Sequence, residues 1–89
     1  MVNVGAAACV PCRLMAPVLE RAARRYEGRA RVLVVDIRTN REALTTYGVR
    51  ILPTQIFFNA AGERVATHEG FLSEAELTRA IDELVTIDK

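Results

Sequence analysis

Apolar positions along the chain follow two rhythms. Val2–Ala7 is a short apolar stretch without alternation, the pattern of a buried strand. From Cys12 to Glu27 the spacing becomes helical. Leu14, Met15, Val18, Leu19, Ala22, Ala23 and Tyr26 share one face, with Arg13, Glu20, Arg21, Arg24 and Arg25 opposite. Gly28 is placed to end this helix, and Pro17 inside it removes one hydrogen bond and predicts a kink. Arg31–Asp36, centred on Val32-Leu33-Val34-Val35, reads as a second buried strand. Thr39 or Asn40 is expected to cap a short helix holding Ala43, Leu44 and Tyr47, closed by Gly48. Thr54–Phe58 and Glu63–His68 are strand-like, and the turn between them ends at Gly62. Phe57 and Phe58 should then face opposite layers. In the last helix Ser73 and Glu76 make a capping box, and Leu72 and Leu77 a hydrophobic staple. Its buried stripe is Leu77, Ala80, Ile81, Leu84 and Val85.

The resulting order, βαβαββα, predicts an α/β domain over residues 1–89. A helical crossover makes the first two strands parallel, and the hairpin makes the last two antiparallel. Functional groups in such units gather at the carboxyl ends of the strands, where Cys9 falls.

Composition narrows the function classes. A net charge of +1 gives no reason to expect a nucleic-acid or membrane partner. Residues 13–50 hold nine Arg against four acidic residues, and residues 51–89 hold seven acidic against three basic. Solvated faces of opposite sign are the expectation. No apolar run approaches the roughly 18–20 residues that span a bilayer. Met1–Ala8 is short for a signal peptide and carries no basic start, so a cytoplasmic address is expected by default, with a processed or excised extracytoplasmic domain as the alternative. Two cysteines three positions apart cannot staple distant segments, and in a reducing compartment such a pair is redox-active or metal-bound more often than structural.

The pair has a specific chemistry available to it. Thiol–disulfide exchange needs a thiolate, an acceptor disulfide and a second thiol that resolves the mixed disulfide. Cys9 precedes the helix, so the free N–H groups of the first turn point at its sulfur and favour negative charge there. Pro11 sets φ in that turn at no cost in hydrogen bonds. Cys12, one turn further in, can reach the Cys9 sulfur. Cys9 is therefore expected to attack and Cys12 to resolve. A structural zinc site needs four ligands, and this chain offers two cysteines and the distant His68, so a metal centre requires bridging two chains. Covalent haem attachment wants His after the second cysteine, where Arg13 stands. Inert core thiols remain a further alternative. His68 is expected at a strand end on the surface, and Tyr26 and Tyr47 in the core.

Cys9-Val10-Pro11-Cys12-Arg13-Leu14-Met15-Ala16-Pro17-Val18-Leu19-Glu20 resembles the active-site segment of the thioredoxin family. The likeness continues through Val35-Asp36, through Tyr47-Gly48-Val49-Arg50-Ile51-Leu52-Pro53-Thr54 and through Gly70-Phe71-Leu72-Ser73. It implies a protein-disulfide oxidoreductase that needs no metal or organic cofactor, acts on disulfide-containing proteins, and is recycled by a reductase or dithiol donor. It implies also that the Leu52–Pro53 bond is cis, with Pro53 facing the cysteines and the Leu52 backbone open to an extended substrate.

Four departures from the family pattern stand out. Ala8 occupies the place of the usual Trp before the first cysteine. Val10 replaces Gly and adds bulk beside Cys9. Asn3 falls where the family commonly keeps a buried Asp that moves the resolving cysteine's proton; an amide cannot accept that proton, so either slower exchange or a water in the Asp's role is expected. Met1 aligns with the family's second strand, so a minimal thioredoxin fold is expected, a four-stranded mixed sheet of order 2-1-3-4. Arg31–Asp36 would then be a free edge flanked by Arg29, Arg31 and Arg38, inviting weak self-association. Two rival readings remain: a non-catalytic interaction module on the same fold, and a metal- or cluster-bridged dimer.

Overall fold

The computed structural model describes residues 1–87, for residues 86 and 87 in backbone only. Its elements are β1 (Val2–Gly5), α1 (Val10–Arg25), β2 (Leu33–Asp36), α2 (Glu42–Thr46), β3 (Thr54–Phe58), β4 (Arg64–Glu69) and α3 (Glu74–Ile87). The strands form one sheet in the order β2-β1-β3-β4. β1 runs parallel to β2 and antiparallel to β3, and β3 pairs antiparallel with β4.

Strand alternation divides the core between the two faces of the sheet. Val2, Val4 and Ile56 point to the face covered by α2, where Ala43, Val35, Tyr47 and Phe58 join them. On the other face Phe57 meets Met15 and Leu19 of α1, Tyr26 at the C-cap of that helix, and Leu77 and Ile81 of α3. Phe57 and Phe58 thus serve different layers, as the pattern predicted. Tyr26 is fully buried, and its hydroxyl donates to Asp82 Oδ1 at 2.5 Å, tying α1 to α3. The capping box forms in both directions: Ser73 N–H donates to Glu76 Oε1 and Glu76 N–H donates to Ser73 Oγ, each at 3.2 Å.

Several boundaries differ from the sequence reading. β1 ends at Gly5, not Ala7, because the chain turns there and Cys9 N–H donates to the Ala6 carbonyl. α1 starts two residues earlier than expected and runs on through Pro17. β2 is an exposed edge rather than a buried strand, since β1 alone pairs with it; Val34 is 64% exposed. Neither Thr39 nor Asn40 caps α2 by its side chain. The Thr39 hydroxyl is spent on the Asp36 carbonyl, and Asn40 supplies only its backbone carbonyl to Ala43 N–H. The uneven charge is partly self-neutralised: Arg21 pairs with Glu74 and Arg50 with Glu69, joining the basic half to the acidic half. Exposed pairs of this kind contribute about 0–1 kcal/mol each.

Candidate active site

Cys9 is the N-cap of α1. Its backbone is extended (φ −80°, ψ 121°), and its sulfur accepts the Cys12 N–H at 3.3 Å. This is the geometry in which a capping side chain satisfies one of the unpaired donors of the first turn. Here the capping atom is sulfur, so the helix end and the reactive group are the same. The Cys9 thiol also reaches the Leu52 carbonyl at 3.7 Å. Leu52 precedes a cis bond to Pro53, which is fully buried. The Pro53 carbonyl accepts Gly70 N–H at 2.7 Å and so anchors the start of β3 to the end of β4. The structure therefore brings Cys9, Val10, Pro11 and Cys12 onto one helical turn with the Leu52 backbone beside it. Val10 is 57% exposed, so most of its added bulk meets solvent.

The two thiols differ in setting. Cys9 is half-buried and Cys12 buried. Burial pushes the Cys12 thiol up to about 11, helped by its hydrogen bond with Cys9. At neutral pH Cys12 is thus held as the thiol, behind a neighbour that meets solvent first. The sign of the linkage follows. The folded protein keeps the Cys12 proton where the unfolded chain has lost it, so stability falls as pH rises through the interval from 9 to about 11. Relative to Cys12→Ser, the reduced protein should lose on the order of 1–2 kcal/mol across that interval in chemical denaturation. Equal slopes for the two proteins would remove this account of Cys12.

Gly5 closes the site from below. A methyl group placed there would sit 3.0 Å from the Cys12 sulfur, closer than ordinary contact. Asn3 lies beside it on the α1 face of the sheet, 2% exposed. Its Oδ1 accepts from Gln55 Nε2 at 3.0 Å, and Nε2 also contacts Met15 Sδ at 3.2 Å. On the far side of Gln55, its Oε1 meets His68 Nδ1 at 2.9 Å. His68 is accordingly not a plain surface residue. Gln55 and Gly5 escaped the sequence reading. The signal for Gln55 was available: alternation places it on the same inward face as Phe57, and a polar residue there needs partners. Among the described residues no group of three or more His, Cys, Asp or Glu side chains is arranged to hold a metal ion. Among them, too, no helix is long and apolar enough to cross a membrane.

The thioredoxin family model matches residues 1–83. The chain is 38% identical over 82 residues to thioredoxin of Pseudomonas aeruginosa, covering 92% of this chain and 75% of that protein. Against thioredoxin of Staphylococcus aureus the identity is 37%, covering 92% and 78%. Among solved structures, the germline-specific thioredoxin Deadhead of Drosophila melanogaster superimposes with a TM-score of 0.82 at 31% identity, over 93% of this chain and 77% of that one. The reduced thioredoxin pre-protein of Schistosoma mansoni gives 0.80 at 28%, over 93% and 75%. Sequence and fold agree over more than nine-tenths of the chain, and on that footing it belongs to the thioredoxin family and is a protein-disulfide oxidoreductase.

Proposed function

We propose that Cys9 attacks the disulfide of a protein substrate and that Cys12 resolves the adduct. In the first step the Cys9 thiolate forms a bond to one substrate sulfur, the substrate S–S bond breaks, and the departing sulfur takes up a proton. In the second, Cys12 loses its proton and bonds to the Cys9 sulfur. The Cys9–substrate bond breaks, and the second substrate sulfur leaves as a thiol. The substrate disulfide is reduced by two electrons and the Cys9–Cys12 pair is oxidised by two. A reductase or dithiol donor returns them. The observation that carries the assignment of roles is the contrast at one helix end: a half-buried sulfur capped by the Cys12 N–H at 3.3 Å, and a buried thiol behind it.

Substrate recognition has two supports. The exposed apolar side chains of Val10, Ile51 and Phe71 lie next to Cys9, Leu52 and Gly70 in the chain, offering a surface for apolar peptide. An extended substrate laid along the Leu52–Pro53 segment could pair with the Leu52 backbone, as in strand addition. The cytoplasm, as the reducing compartment in which such a pair cycles, is the assigned location. Insulin reduction driven by dithiothreitol tests the function: the rate should rise in proportion to added protein, and a rate equal to the dithiothreitol background would overturn it.

A second copy of the chain is the proposed weak partner, through β2. Leu33 and Ile37 donate their N–H groups to the Met1 and Gly5 carbonyls, so Val34 between them turns its own N–H and C=O outward. Two copies related by a two-fold axis can pair antiparallel with Val34 opposite Val34, covering two exposed valines. Arg38, which could guard this edge, is held by Asp36 at 3.1 Å. The four-residue strand offers few bonds, so the association is weak. Sedimentation should show the mean mass rising at high micromolar concentration, and Val34→Lys should abolish the rise. A strictly monomeric wild-type profile at that concentration would refute the pairing.

A further inference from the structure

The segment leading into the cis-proline is tied down at few points. Val49 N–H donates to the Leu44 carbonyl at 2.8 Å and closes the turn after α2. Beyond it, among the described residues, no backbone N–H of Arg50, Ile51 or Leu52 donates to a backbone carbonyl. The Ile51 carbonyl accepts the Thr54 hydroxyl at 2.6 Å, a bond local to the segment. The long-range tether comes from a side chain. Arg50 Nε donates to Glu69 Oε2 at 3.1 Å and Arg50 Nη2 to Glu69 Oε1 at 2.8 Å, a bidentate fork. Glu69 is the last residue of β4 and stands in register with Thr54. Each arm of the fork leads to an exposed apolar side chain. Ile51, 48% exposed, follows Arg50, and Phe71, 47% exposed, lies just past Glu69 and Gly70. The fork thus links the segment that carries Ile51 and the Leu52 backbone to the one that carries Phe71.

We infer that Arg50 and Glu69 are positioning residues for substrate docking, their ion pair holding Ile51, the Leu52 backbone and Phe71 in place before a peptide arrives. The inference rests on the docking surface proposed above. Both partners are solvent-facing, so the pair adds little to folding. Its effect falls on binding instead. A segment that moves freely in the unbound protein must be ordered by the substrate, and the entropy lost is subtracted from affinity; a segment held beforehand is spared that loss. With so few backbone bonds on residues 50–52, the fork supplies much of the restraint. Among the described residues no hydrogen bond or ion pair joins Arg50 or Glu69 to Cys9 or Cys12, so bond exchange itself does not depend on them. Loosening the fork therefore weakens the hold on an extended peptide and leaves the chemistry of the sulfurs as it was.

The test uses the reduced protein in stopped flow with two substrates. One is an uncharged extended peptide joined through a disulfide to a quencher, so that cleavage raises its fluorescence. The other is a small aromatic disulfide whose thiolate absorbs and which makes no use of the docking surface. The dependence of rate on peptide concentration gives a half-saturating concentration and a limiting rate. Arg50→Met and Glu69→Gln should each raise the half-saturating concentration by about two- to fivefold, the range open to an exposed pair. The limiting rate and the reaction with the small disulfide should stay at the wild-type values. The double variant should match either single one, because each alone already opens the fork. Single variants with wild-type half-saturation would overturn the inference. So would a double variant whose effect is the product of the two, which marks independent contacts with the peptide, or an equal slowing with the small disulfide. Phe71→Ser separates the two readings. If it raises half-saturation while the fork variants match wild type, the docking surface stands and the positioning role falls. If Phe71→Ser has no effect, the docking surface itself falls, and the inference with it.

Discussion

Cys9→Ser should reduce insulin no faster than dithiothreitol alone and form no covalent adducts, whereas Cys12→Ser should accumulate mixed disulfides with substrate proteins. The asymmetry follows from position. The sulfur that meets solvent is Cys9, capped by the Cys12 N–H at 3.3 Å, while Cys12 is buried and its thiol is raised to about 11. A hydroxyl at position 9 is no nucleophile toward a disulfide near neutral pH, so the first bond never forms. A hydroxyl at position 12 lets the first bond form and removes the group that would break it. Non-reducing gels of each variant after incubation with a protein extract read the outcome directly. Equal trapping by both variants, or trapping by Cys9→Ser alone, would reverse the assigned roles.

The second large effect concerns the fold. Leu77→Ala should cost about 2–5 kcal/mol, because Leu77 is fully buried in the core cluster that joins α3 to α1 and Phe57, and its removal leaves a cavity in addition to the lost transfer energy. A domain of this size has a total stability of roughly 4–13 kcal/mol. Each kcal/mol shifts the melting temperature of such a domain by about 4–8 °C, so a fall of more than about 10 °C is expected. Leu77 is remote in sequence from the cysteines, and at temperatures where the variant remains folded its exchange rate should match wild type. A melting temperature within a few degrees of wild type would show that the α1–α3 layer is not the main core.

How much of this was legible in the residues can be traced element by element. The capping box at Ser73 and Glu76 and the staple at Leu72 and Leu77 are local, and the sequence states them directly. The same holds for Thr54–Phe58, whose bounds match. The strand order is not local and followed instead from the family resemblance. What failed was non-local. The apolar run at Val32–Val35 looks buried in one dimension, but whether anything lies beside it is a property of the whole sheet. The caps proposed for α2 failed because the Thr39 hydroxyl had a nearer acceptor, the Asp36 carbonyl. At the site, Cys9 and Cys12 announce themselves by spacing. Gln55 does not, because its partners Asn3 and His68 stand 52 and 13 positions away. Gly5 is silent for a similar reason: the sulfur its missing side chain leaves room for comes from a different element.

The cap of α1 has one more implication. Serine is among the best residues at an N-cap, and alanine there costs about 1 kcal/mol. Two replacements of the same sulfur therefore act as independent probes. One keeps an acceptor for the orphan amide and takes away only the chemistry; the other takes away both. Whatever separates their melting curves measures the architectural duty of the atom, freed from its reactivity. In this chain a single sulfur is fastener and reagent together, so only a replacement that still accepts the Cys12 N–H retires the reagent and leaves the fastener in place.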